Sequence, residues 1–135
     1  MKSAYPNSPW DNPLVADGVY LAVIKEVTCR PYRLKTGRYI RMVFWLPHVE
    51  QHVVTNFYFP AEGDQRSVKR LGRLCQHLGL APQDVFDGPG NLIDREVAVK
   101  IKTFKGVGLN EGTTYPDIEL FLSPDVITKD GKVAV

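Results

Sequence analysis

The sequence predicts an all-β domain carrying one helix, a five-stranded barrel in the element order β-β-β-α-β-β. Three observations predict it. Five separate segments alternate apolar and polar residues with the period of two that a half-buried strand requires. Only one stretch, between the third and fourth segments, changes to a period near 3.6. Proline and glycine stand at nearly every boundary, where they punctuate the chain into turns. At 135 residues the chain has the length of one domain able to bury a sizeable core.

Residues 1–17 carry Pro6, Pro9 and Pro13 among polar residues, which blocks a helix and predicts a flexible arm. The domain is expected over 18–123. GVYLAVIKEVT, from Gly18, is rich in β-branched and aromatic residues and opens it as a first strand. Val19, Leu21, Val23 and Val27 take one phase, and Tyr20, Ala22 and Ile24 the other. CRPYRLKTG is a loop. RYIRMVFWLP follows as the second strand, with Ile40, Met42, Phe44 and Leu46 opposite Tyr39, Arg41, Val43 and Trp45. QHVVTNFYFP makes the third, closed by Pro60 and pairing with the second as a hairpin.

In DQRSVKRLGRLCQHLGL the apolar residues Val68, Leu71, Leu74, Cys75 and Leu78 fall at helical spacing. Ser67 or Asp64 is suited to the N-cap and Gly79 to the left-handed position after the C-terminus. Arg66, Lys69, Arg70 and Arg73 form the polar side, expected as a solvated face. PQDVFDGPGN is expected as a loop, with Asp84 and Asp87 as turn residues. REVAVKIKTF is a half-buried fourth strand. DIELFLSP is a fifth, with Ile118, Leu120 and Leu122 in phase, and residues 124–135 form a polar tail. This order is that of an oligonucleotide-binding (OB) barrel, whose helix lies between strands three and four. A parallel sheet would need alternating β and α units instead.

Composition narrows the function. No stretch approaches the roughly 18 apolar residues of a membrane span, and the N-terminus has no apolar run of the secretory kind, so a cytoplasmic protein is expected. Cys29 and Cys75 are far apart, without a CxxC, and read as buried thiols. No nucleophile-elbow, zinc, P-loop or dinucleotide motif occurs, so neither an enzyme nor a cofactor is expected. His48 and His52 are four apart, but in a turn and a strand entry, where they share no helical face for a metal.

Binding has more behind it. A net charge of +2 is too small to prove a polyanionic partner, yet Arg30, Arg33, Lys35, Arg38 and Arg41 follow one another with no acidic residue between them. A nucleic-acid strand offers charged phosphates and flat bases, so its receptor interleaves cations with exposed rings. Here Tyr32 and Tyr39 lie within the basic run, and Trp45 and Tyr58 share the outward phases of strands two and three. Trp45 and Tyr58 suit a core as well as a surface, and the run suits a solvated loop as well as a site. Lys100, Lys102, Phe104, Lys105 and Tyr115 extend the set along strand four and into the next loop. In an OB barrel these loops and strands line the binding cleft.

The strand opening GVYLAVI, the basic loop, the helix with LGRLCQHLGL, and REVAVKI after DGPGNLID together resemble small phage-type single-stranded-DNA-binding proteins of OB fold. The likeness spans about residues 18–122. It implies a non-catalytic protein of replication or recombination in a bacterial or phage-infected cell, bound in more than one copy along single-stranded DNA. The chain departs from bacterial housekeeping members in ending TKDGKVAV rather than in an acidic tail tipped by Phe. The residues themselves do not discriminate DNA from RNA. A second expectation, from a different class, is an OB-fold interaction or structural component of a phage or replication complex.

Overall fold

Alternation becomes five antiparallel strands in one sheet: β1 (Gly18–Pro31), β2 (Arg38–Leu46), β3 (Gln51–Phe59), β4 (Glu96–Lys105) and β5 (Thr114–Leu122), in the spatial order β3-β2-β1-β4-β5. The computed structural model of the protein describes residues 8–31, 37–59, 66–105 and 112–126. The helix expected between strands three and four is α1 (Arg66–Leu78). Among the described residues, no helix is long and apolar enough to cross a membrane.

The long first strand serves two partners. Gly18 to Val23 pair with β4, and Val23 to Pro31 pair with β2. Between Ile24 and Glu26 the register shifts, because Lys25 is an extra residue in the ladder. Such a bulge bends its strand and re-aims the side chains beyond it. It also corrects the expected phase: Ala22 and Ile24 enter the core, and after the bulge Val27 and Cys29 do, so Val27 is not on the side of Val19, Leu21 and Val23. A second shift, at Glu119 in β5, acts the same way. Ile118 and Phe121 are fully buried, and the expected series Ile118, Leu120, Leu122 is broken.

The core packs Ile40, Met42, Phe44 and Leu46 of β2 with Val53 and Phe57 of β3, and Val97, Val99 and Ile101 of β4 complete it. Phe121 lies between Phe44 and Phe57, its ring centroid 5.7 and 6.0 Å from theirs. Helix α1 closes this core with Leu71, Leu74, Cys75 and Leu78. Burial pushes the Cys75 thiol up to about 11, which leaves it inert. The helix ends as expected: Gly79 adopts φ +71°, and Leu80 N–H donates to Cys75 O at 2.9 Å. Where a loop was expected, Pro82–Asp87 forms a helix, α2, and Pro89–Leu92 a 3-10 turn. Pro82 opens α2, and Asp84 accepts the N–H of Ala81 at 2.8 Å, so Asp84 is a cap rather than a turn residue. The apolar reason is that Val85 and Leu92 are fully buried.

The two sheet edges, β3 and β5, are joined by side chains. Asn12 sits between them: its Nδ2 donates to Val54 O at 3.0 Å and Pro116 O at 2.8 Å, and its Oδ1 accepts from Val54 N–H at 2.7 Å. An amide so placed stands in for a short piece of strand. Ser8 to Asp17, expected within the flexible arm, therefore lie against the sheet, with Val15 in the core and Asp17 accepting from Thr103 N–H at 2.9 Å. Replacing Asn12 by Ala leaves buried backbone groups without partners. The expected loss is about 1–3 kcal/mol of stability, read as a lower urea midpoint.

Candidate nucleic-acid interface

At one end of the sheet the hairpin register sets Tyr39 of β2 directly opposite Tyr58 of β3, with ring centroids 5.9 Å apart. The β4–β5 register does the same for Phe104 and Tyr115, at 6.2 Å. Because β3 and β5 are the strands that meet at the side-chain seam, the two pairs lie on either side of it. Tyr115 feels both Tyr58 and Asp117: burial first, then these two groups, raise its hydroxyl above the usual value, while Arg66 and Arg70 pull it down. Tyr58 is 39% exposed, and Tyr39, Phe104 and Tyr115 are half-buried.

Helix α1 supplies the charge beside these rings. The guanidinium of Arg66 lies 4.6 Å from the Phe104 ring centre, and its Nη2 donates to Ile118 O at 3.0 Å and stands 3.8 Å from Asp117 Oδ2. Arg70, expected on the solvated face, is instead buried. Its Nη1 donates to Thr55 Oγ1 at 2.6 Å and Ile118 O at 3.1 Å, and its Nη2 donates to Asn56 O at 2.6 Å. Burial, and next the neighbouring Arg66, lowers its value to about 10, so it remains charged at neutral pH. Asp117 lies in the same polar cluster. Burial raises its carboxyl above the ordinary range, against the pull of Arg70 and of a hydrogen bond with Thr55.

This polar demand turns the first turn of the helix. Ser67 and Arg70 face inward, Ser67 Oγ accepting from Tyr58 N–H at 2.9 Å. Val68, expected in the apolar stripe, is 45% exposed. Ser67 lies within α1 and not at its cap; Asp64 lies outside the described residues.

The residues expected to bind divide into groups. Tyr39, Tyr58, Phe104 and Tyr115 converge. Arg30 is exposed on β1 opposite Tyr39 and so flanks that ring, whereas Lys105 is exposed opposite Thr114, in the phase opposite to Phe104. Arg41 is a correction: it is 5% exposed and donates to Glu26 Oε1 at 2.8 Å, a structural ion pair below the surface. Trp45 is another. It packs on His52 at 4.6 Å, six residues along β2 from Tyr39 and thus roughly 20 Å away, with the buried pair Val43 and Val54 between them. Burial, then Lys25, lowers the His52 imidazole below its usual value.

Arg38 is exposed and stacks 4.0 Å over Phe86 of α2, away from the Tyr39 face. Lys100 and Lys102 share their phase with Phe104, and both reach Glu119, at 3.1 and 3.3 Å. Tyr32, Arg33 and Lys35 lie outside the described residues. Sequence reasoning set Arg66 and Arg70 on a solvated face in preference to a strand contact, and missed Asn56 and Asn12. The one available signal was that Arg66 and Arg70, four apart, share a helical face next to Ser67.

Among the described residues, no three His, Cys, Asp or Glu side chains come together as metal ligands. No protein-family model, curated protein or solved structure matches the chain.

Proposed function

We propose that the chain is a non-catalytic OB-fold module that binds single-stranded DNA by stacking bases on Tyr39, Tyr58, Phe104 and Tyr115 and by placing cations along the phosphates. The observation that carries this is the convergence of two aromatic pairs, one from the β2–β3 hairpin and one from β4–β5, at a seam where Arg66 stacks on one ring. Flat faces with charge beside them suit any base, so the binding has little sequence preference. The order β3-β2-β1-β4-β5, with Asn12 and Arg70 holding the outer strands together, supports an OB barrel joined between β3 and β5. A role on replication or recombination intermediates in a bacterial or phage-infected cell, several copies to a strand, fits such a module and the resemblance of its sequence.

Anisotropy of a labelled oligo-dT tests the reading. Saturable binding is expected at low salt, with the logarithm of the affinity falling linearly with the logarithm of salt concentration as counterions are released. Absence of saturable binding at low salt overturns the proposal, and binding indifferent to salt overturns its electrostatic part. An oligo-rU of equal length reports whether the 2′-hydroxyl matters.

A further inference from the structure

Lys100 and Lys102 follow Phe104 along the same face of β4, so a strand stacked on Phe104 runs its phosphates past them. Neither lysine has its charge to itself. Lys100 Nζ is 3.1 Å from Glu119 Oε1, and Lys102 Nζ is 3.3 Å from Glu119 Oε2. One carboxylate thus spans two cations, each oxygen to one ammonium. The backbone explains how. Lys100 pairs with Leu120 and Ile101 with Ile118, so Glu119 is the extra residue of the β5 bulge. A bulged residue escapes strict alternation and can be re-aimed. Here it points its carboxylate at the lysines of the neighbouring strand. Hydrogen bonds from Lys100 and then Lys102 hold this carboxyl below the usual Glu value, so it is ionised at neutral pH.

We propose that Glu119 is a built-in competitor for the nucleic-acid phosphate, which must displace it from Lys100 and Lys102 for the strand to occupy that part of the face. The inference rests on the function proposed above and deepens it. Phosphate arrives as the carboxylate leaves, so the two lysines exchange one anion for another. Fewer counterions are then released than two bare lysines would give, and affinity is held down. A protein that coats single strands transiently gains from this, because tight binding would block whatever acts on the strand next.

Glu119→Gln tests it, with Glu96→Gln as the control. Both substitutions raise the net charge equally, but Glu96 is an exposed residue of β4 at the far end of the strand, opposite Val23. Glu119→Gln is expected to bind oligo-dT about two- to thirtyfold more tightly at low salt, the range that two exposed ion pairs can account for. Its plot of log affinity against log salt is expected to steepen by about 0.7 to 1.4, for one or two freed cations on a single strand. Glu96→Gln is expected to match the wild type in slope. Wild-type binding with no change in Glu119→Gln, or an equal gain in both variants, overturns the competitor role and leaves the stacking site standing. Failure of the wild type and of Glu119→Gln alike to bind overturns both proposals. Binding by Glu119→Gln alone overturns the function proposed for the wild-type chain, and with it the competitor role that rests on it.

Discussion

Replacing Arg70 by Met should destabilise the protein by about 3–5 kcal/mol, the range for removing one partner from a buried charged cluster. A stable domain of this size has only about 5–15 kcal/mol to lose, so the variant is expected to give up a third or more of a typical stability. The reason is topological. Arg70 donates to Thr55 and Asn56 on β3 and to Ile118 on β5, so one guanidinium joins two strands that have side chains, rather than a backbone ladder, between them at this point. Methionine fills much of the volume but leaves Thr55 Oγ1 and Asn56 O without this donor, and leaves Arg66 alone to serve Ile118 O and Asp117. Lysine is expected to rescue little, since an ammonium is a point charge and cannot reach acceptors in a planar fork. Urea titrations followed by circular dichroism check this. A midpoint for Arg70→Met equal to that of the wild type would show that the seam is held by other means.

The second large effect concerns binding. A variant carrying both Tyr58→Ala and Phe104→Ala should lose about 2–6 kcal/mol of affinity for oligo-dT, since each stacking platform contributes roughly 1–3 kcal/mol. The two rings belong to different strand pairs, and the double variant removes one platform from each. Trp45→Ala, at the other end of β2, is expected to bind as the wild type does. The comparison has a clear losing outcome: if Trp45→Ala abolishes binding while the double variant keeps it, the strand lies on the wrong half of the molecule. Circular dichroism of each variant separates lost contacts from lost fold.

The five strands and the helix were legible because each carries enough of one period to be recognised, even where a bulge interrupts β1 and β5. The hairpin of β2 and β3 was legible as a hairpin, but its register, and with it the pairing of Tyr39 with Tyr58, is set by the turn and came from the structure. What escaped were events that a period cannot record. One extra residue at Lys25 moves Val27 to the other face, and one at Glu119 replaces Leu120 by Phe121 in the core. Neither bulge has a glycine to announce it. Arg41 and Arg70 escaped for a different reason. Their charge suggests solvent, and only the three-dimensional placement of Glu26, Asp117 and the edge carbonyls reveals partners inside. Trp45 was legible as outward-facing but not as remote, because phase says which face a ring is on and not how far along it.

The bridge formed by Asn12 has a consequence for biosynthesis. Its partners Val54 and Pro116 lie 42 and 104 positions further along the chain. During translation, at about 5–20 residues per second, the β3 edge exists for seconds before the last strand leaves the ribosome. Over that interval the nascent chain presents an open row of peptide groups, the sort of template on which unrelated strands assemble. The side-chain bridge from β3 to β5 is thus a late, whole-chain event, and the yield of folded protein in the cell depends on keeping neighbouring chains away until it is made.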